Sequence, residues 1–354
     1  MDKAHNTALT PVPVTWKKGW VMAEVQVAAL GNAIVDVLAE VDDGFLDEHG
    51  IPKGGMVLID TDKAHAITEA FGGGTAMVAG GSAGNTVACF ASFGGSARFI
   101  GSVADDMLGN AYRESMREAG VIFDTPAKSG GLPSGRCLIS VTPDAERSMA
   151  TYLGIAGDIR AEDLHPGDIE DAQVFFIEGY HFESEQSRAT CAEGARRAKD
   201  SGRFASMTLA HAGMVEAHKA DLTAFLKERV DMVFANKVEA EALTGESDPL
   251  EAAMAMRSLC LWGAVTMSEN GSYVFGPEGD IEKVEPVKPT QLVDSTGAGD
   301  AYAAGWIYGF TTNHPLKECG MLGALAAAEV ISHVGARPEQ PLRKLAQKKG
   351  LLGE

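Results

Sequence analysis

Six short apolar runs alternate with helical stretches along this chain, and that alternation restricts the folds open to it. Residues 25–30 (VQVAAL), 97–103 (ARFIGSV), 173–179 (QVFFIEG), 203–209 (RFASMTL), 231–236 (DMVFAN) and 263–269 (GAVTMSE) carry apolar side chains on both faces. Strands of that kind are covered on both sides, as in a mostly parallel sheet. Helix candidates lie between them, at about 83–93, 107–119, 185–201, 214–229, 248–261, 298–311 and 315–334. The pattern predicts an α/β fold whose ligands bind at the carboxyl ends of the strands.

Two stretches depart from this rhythm. Residues 34–60 and 121–154 carry β-like runs and turn signals but no convincing long helix. Long excursions without structure of their own are uncommon. Together they are expected to form a small β-sheet lid, built from two separate segments, over one end of a core spanning 22–345. Residues 1–21 match neither a secretory signal nor an amphipathic element, and are expected to be a non-native or disordered extension.

Composition narrows the function classes. With 49 acidic and 30 basic residues, the formal charge of −19 repels nucleic acid and anionic membranes. No apolar run reaches the ~18 residues of a membrane span. The five cysteines (Cys89, Cys137, Cys191, Cys260, Cys319) lack CxxC spacing, which argues against zinc and disulfides and for a reducing cytoplasm. No GxxxxGK[ST] or HExxH pattern occurs, so a P-loop and a zincin are both disfavoured.

The segment Asp294-Ser295-Thr296-Gly297-Ala298-Gly299-Asp300 runs directly into an apolar helix. Amides at such a turn have no internal partner, and the helix dipole adds positive potential, which makes an anion site. Asp300 sets a carboxylate beside it. That placement makes sense if Asp300 accepts a proton from an attacking hydroxyl; otherwise it is a first-turn acid.

Other candidates are individually weaker. Gly80-Gly81-Ser82-Ala83-Gly84-Asn85 opens helix 83–93, either as a ligand-hugging turn or as a plain strand–helix turn. Asp36, expected at the end of the first strand, could accept two sugar hydroxyls or be a solvated acid. Asn236 and Glu239 share one helix face and offer oxygens to Mg²⁺, although Asn-x-x-Glu is also a capping box, the reading favoured locally. Arg147 is a lone cation in the expected lid, able to neutralise a phosphoryl group in transfer.

In this order along the chain, these residues resemble the ribokinase-type, or phosphofructokinase-B, family of carbohydrate and nucleoside kinases. The likeness covers nearly all of 25–340. Segments such as GGSAGNTVACFASFGG, ERSMATYLGIA and MVFANKVEAEALTG look most like the family's adenosine kinases. The resemblance implies a three-layer, doubly wound ribokinase-like fold with a β-sheet lid. It implies Asp300 as catalytic base, an anion hole of Gly297, Ala298 and Gly299, and Arg147 near the transferred phosphate. Asp36, Gly80, Gly81 and Asn85 would hold ribose hydroxyls, with Asn32 and Ser82 near the sugar or base. Met149 would press on a purine. Asn236 and Glu239 would order Mg²⁺, with Asn236, Ser268, Gly271 and Thr296 along the ATP. A K⁺ ion beside the 294–296 and 331–335 backbones is a further family option.

The chain departs from animal-type adenosine kinases at Gly179-Tyr180-His181-Phe182. Tyr180 or His181 could stack on a purine, and His181 could equally favour a polar sugar acid. The expected activity is therefore ATP- and Mg²⁺-dependent phosphorylation of a nucleoside 5′-hydroxyl, adenosine first, by a cytoplasmic enzyme. The alternative is a free-sugar kinase acting on fructose, ribose or 2-keto-3-deoxygluconate. Monomer and homodimer both stay open, and partners are limited to the small-molecule substrate and ATP.

Overall fold

The computed structural model describes residues 23–72, 75–144, 146–279 and 281–353. The expected extension at 1–21 lies outside the described residues. Thirteen strands follow in chain order: β1 (Val25–Leu30), β2 (Ile34–Glu40), β3 (Met56–Leu58), β4 (Ala76–Ala79), β5 (Ala97–Ile100), β6 (Gly135–Val141), β7 (Arg147–Tyr152), β8 (Ala172–Glu178), β9 (Phe204–Thr208), β10 (Met232–Asn236), β11 (Trp262–Thr266), β12 (Ser272–Phe275) and β13 (Glu282–Val284). They make an eight-stranded sheet of order β13-β12-β11-β10-β9-β8-β1-β5 and a five-stranded sheet of order β3-β7-β6-β2-β4.

The large sheet is parallel from β5 to β11, and β12 and β13 extend its edge antiparallel. Alternate side chains of each strand enter different cores. Val27, Ala29, Val174, Phe176 and Phe234 pack with the helices Ser82–Ser92, Ala298–Thr311 and Leu316–Val330. Ala28, Leu30, Phe175, Ile177 and Val233 pack on the other side, with the helices Glu185–Asp200 and Lys237–Thr244. This is the three-layer arrangement expected from doubly buried strands. The helix Ala298–Thr311 is apolar all round because it is buried from Ala301 to Thr311.

Several elements differ from the sequence expectation. Asp36 does not end the first strand. The chain leaves the large sheet after Leu30, and Asp36 lies within β2, between Val78 of β4 and Cys137 of β6. The small sheet also recruits a third segment, since β4 pairs with β2 and follows the helix Thr61–Phe71. The expected helix 214–229 is two, Ala212–Ala217 and Lys219–Arg229, broken where His218 adopts φ −120° and ψ 20°. His218 Nδ1 there meets Arg188 Nη1 at 3.2 Å. All five cysteines are buried and unpaired.

Candidate active site

The carboxyl ends of the parallel strands open into a cleft of about 700 Å³, faced from the other side by the small sheet. Ile34, Leu38, Ile139 and Met149 give the sheet an apolar surface there, interrupted by Asp36.

The turn into the helix Ala298–Thr311 forms one wall. Gly297 takes φ 78°, and a Cβ on it would lie 2.5 Å from the Ala336 Cβ, so a side chain is excluded twice over. At Gly299 a Cβ would meet nothing within 4 Å. Glycine there leaves open space above the turn rather than solving a packing problem. Thr296, Gly297, Ala298, Gly299 and Asp300 all face the cleft.

Asp300 is clamped at both oxygens. Ser82 Oγ donates to Oδ1 at 2.6 Å, and Asn85 Nδ2 donates to Oδ2 at 3.2 Å. Burial pushes its pKa up to about 6, against the lowering effect of those two bonds. Gly81, at φ 81°, lets the chain turn into the helix that carries both donors, and its missing Cβ would strike Asn32 O at 2.3 Å.

Asp36 stands against the same turn: a Cβ on Gly80 would lie 2.6 Å from its Oδ2. Burial raises Asp36 to about 7, opposed by Arg337 and Arg147. Arg147 is not a lone cation. Its Nη1 reaches Asp294 Oδ2 at 2.7 Å, tying β7 to the loop before the anion turn. Asp294 also accepts from Thr296 N at 3.0 Å and Gly335 N at 3.1 Å. Burial alone would raise its pKa, but these bonds and Arg147 outweigh it and hold the carboxyl below its usual range.

Asn236 and Glu239 form the full reciprocal cap of the helix Lys237–Thr244. Glu239 takes Asn236 N at 2.9 Å and Nδ2 at 2.7 Å, while Asn236 Oδ1 accepts from the Val238 and Glu239 amides. Both residues also face the cleft. Burial lifts Glu239 to about 7, against the Asn236 bond, and the charge of Asp300 lifts it further.

Asn32, Met149 and Tyr180 line the cleft as well. His181 does not. It is 2% exposed, its Nε2 has no partner among the described residues, and burial lowers its pKa to about 4, so the ring is neutral. Ser268, at φ 51°, and Gly271 form the turn between β11 and β12, outside the cleft lining.

Three groups escaped the sequence reading. Glu178, at the end of β8, accepts from Asn32 N (2.8 Å), Asn32 Nδ2 (2.6 Å) and Ala83 N (2.9 Å), and burial raises it to about 7. A carboxylate closing a buried strand was the available signal. Glu183 and His211 meet at 3.4 Å on the cleft wall, and the His211 ring lies 5.6 Å from that of Tyr180. Arg337 stands behind Asn85.

A half-buried carboxylate beside an open helix N-terminus is an arrangement suited to moving a phosphoryl group onto an alcohol. The pfkB family carbohydrate kinase profile matches residues 56–343. An adenosine kinase from Sinorhizobium meliloti is 40% identical, with a TM-score of 0.85 over 92% of this chain and 100% of that one. A probable sugar kinase from Rhizobium etli is 38% identical, with a TM-score of 0.86 over 94% and 100%. A cytidine kinase of Thermococcus kodakarensis is 38% identical over 121 residues, 33% of this chain and 42% of that enzyme. The chain belongs to the pfkB family of carbohydrate kinases, and its fold is the family's ribokinase-like one. It is a phosphotransferase with an alcohol group as acceptor.

Kinases of this family in general use ATP with Mg²⁺. Among the described residues no group of three or more His, Cys, Asp or Glu could hold a metal. Mg²⁺ needs no such cage, because it keeps several waters and meets one or two carboxylates beside substrate phosphates. The charge of Asp300 raises Glu239 across the cleft, and Asn236 and Glu239, both on the cleft wall, are the oxygen-bearing pair that a hydrated ion could meet there.

Proposed function

We propose that this kinase phosphorylates the 5′-hydroxyl of a nucleoside, adenosine in the first place, using ATP. The observation that carries this is Asp300: a half-buried carboxylate with a pKa of about 6, held by Ser82 and Asn85 at the mouth of the anion turn. Asp300 takes the proton of the acceptor hydroxyl as its oxygen attacks the γ-phosphorus, while the bond from that phosphorus to the bridging β-phosphate oxygen breaks and ADP leaves. The amides of Gly297 and Gly299 receive the charge on the transferring oxygens, joined by that of Ala298 once it releases Ser295 O, to which it donates at 3.3 Å. Asn32, Asp36, Gly80, Gly81, Ser82 and Asn85 hold the acceptor's sugar. Asn236 and Glu239 would hold Mg²⁺, which when bound would neutralise phosphate charge. Thr296 borders the nucleotide; Ser268 and Gly271 serve it only from the neighbouring turn.

The nucleoside reading rests on Ile34, Leu38, Ile139, Met149 and Tyr180, which offer an apolar face large enough for a purine. Arg147 holds the small sheet over the cleft through Asp294, so that sheet, formed largely by 34–60 and 121–154, serves as a lid that excludes water. A K⁺ ion would sit by the 294–296 and 331–335 backbones, which meet where the Val293 and Asp294 amides donate to Ile331 O. Five unpaired buried thiols suit a cytoplasmic setting.

The test is ADP release with Mg²⁺-ATP against adenosine, cytidine, inosine, ribose, fructose and 2-keto-3-deoxygluconate. Adenosine at least tenfold ahead in kcat/KM supports the reading. Preference for a free sugar overturns the nucleoside assignment and leaves the family intact.

A further inference from the structure

Arg337 is absent from the cleft wall, yet it touches that wall from behind. It follows Gly335 and Ala336, whose backbone packs against the anion turn: Gly335 N donates to Asp294 Oδ2, and Ala336 lies under Gly297. From there the half-buried side chain crosses to the acceptor side. Its Nη1 donates to Ser115 Oγ at 2.9 Å and its Nη2 meets Met116 Sδ at 3.4 Å, both on the helix Met107–Glu118. These contacts fix the guanidinium plane. Its Nε then points at Asn85 Oδ1, 3.4 Å away, while the other end of the same amide donates to Asp300.

The Asn85 amide is thus oriented from both ends. Arg337 offers only donors and so requires the oxygen, and the Asp300 carboxylate offers only acceptors and so requires the NH₂. The same cation acts on Asp36. The groups facing that carboxylate are Arg337, Arg147 from β7, Asp294, the Cys137 thiol of β6 and the Tyr112 hydroxyl of the helix Met107–Glu118. Of these only the two arginines favour its charged form, and Arg147 is already paired with Asp294.

We infer that Arg337 is a positioning residue for the acceptor: its guanidinium, held by Ser115 and Met116, orients the Asn85 amide toward Asp300. One arginine from the loop beneath the anion turn then sets Asn85 against Asp300, and its charge opposes the burial that raises Asp36. The inference rests on Asp36 and Asn85 binding the acceptor, as proposed above.

The experiment compares Arg337→Met, Arg337→Gln and Arg337→Lys in the full chain, measuring kcat, both KM values and the pH profile of kcat/KM for the acceptor. Losing an opposite charge moves a carboxylate pKa by about one unit or more. In R337M and R337Q the acid limb should move up by about one pH unit, a loss of about tenfold at pH 6, with KM for ATP within about twofold of wild type. R337K should keep the limb in place while kcat falls, because a point charge cannot hold Asn85 and Ser115 together. A wild-type limb in R337M and R337Q, or KM for ATP rising in step with that for the acceptor, overturns the inference. Should R337M fail to fold, the limbs of R337Q and R337K decide the matter alone. Asp36→Asn and Asn85→Ala separate the two layers of argument. If they leave the acceptor KM unchanged, the acceptor-site reading fails; if they raise it and R337Q does not move the limb, only the role of Arg337 fails.

Discussion

Ser82 Oγ donates to Asp300 Oδ1 at 2.6 Å, joining residues 218 positions apart in the chain. The contact brings the glycine turn after β4 onto the first turn of the helix Ala298–Thr311, so the proposed base is oriented before any substrate enters. A carboxylate held in one rotamer spends no entropy on alignment when the acceptor hydroxyl arrives. Asp300→Asn keeps the size and polarity of the side chain but cannot take a proton. Turnover should fall by about 10²–10⁴-fold, the usual share of a general base, with ATP binding by calorimetry within a few-fold of wild type. Wild-type-like turnover removes Asp300 from the mechanism.

The same two bonds tune when Asp300 is ready. Burial raises its pKa to about 6, and the bonds from Ser82 and Asn85 pull it back. Activity needs the ionised form, so kcat should fall as pH drops through about 6. Ser82→Ala removes one of the lowering bonds, and the acid limb should move to higher pH. A limb that stays in place, or moves down, would mean that another group controls it.

Holding a carboxylate in this state costs stability, and the sign can be worked out. The folded pKa of Asp300, about 6, lies above the 3.8 of an exposed aspartate. Its contribution is therefore fully present below about pH 4 and lost as pH rises through about 6. Asp300→Asn should raise Tm at pH 8, where the wild-type group is charged, and should give no gain at pH 4, where both are neutral. Thermal unfolding at the two pH values checks this, and equal shifts at both would contradict it.

Arg147 is half-buried and Asp294 buried, with side chains 24% and 6% exposed, and their ion pair joins the small sheet to the anion-turn loop. Removing Arg147 leaves Asp294 with the Thr296 and Gly335 amides but no cation. Arg147→Met should loosen the sheet, raising amide exchange in β6 and β7, and should lower kcat by about tenfold or more if the arginine also meets developing phosphoryl charge. Faster exchange with unchanged kcat would limit Arg147 to a tether.

The sequence was most informative where one residue type allows one solution. Doubly apolar strands could only be covered on both faces, and the large sheet follows, as does the helix at 298–311. Asp36 was misplaced because VQVAAL and IVDVLAE are similar local signals, and only long-range pairing with Cys137 and Val78 sends the second run into another sheet. The strand at 76–79 was missed for the same reason, being four residues whose partners, Val35 to Leu38, lie far back in the chain. Glu178 and Arg337 went unread because each acts through a neighbour: one anchors Asn32 and Ala83, the other stands behind Asn85. His181 shows the reverse error. Polarity suggested a ligand, while the adjacent Phe182 belongs to the second core and the turn carries His181 inward with it.

Tyr180 provides the sharpest separation of nucleoside from free sugar. Its ring lines the cleft beside the apolar face of Ile139 and Met149, with its hydroxyl pKa raised by burial and by nearby carboxylates led by Asp300. A nucleobase lying on that ring would gain about 1–3 kcal/mol of stacking. Tyr180→Ala should therefore raise KM for adenosine by about tenfold or more while leaving kcat within a few-fold. A free sugar has no flat face to stack, so its KM should barely change. Equal losses for adenosine and ribose would place the base elsewhere in the cleft, and no loss for either would take Tyr180 out of acceptor recognition.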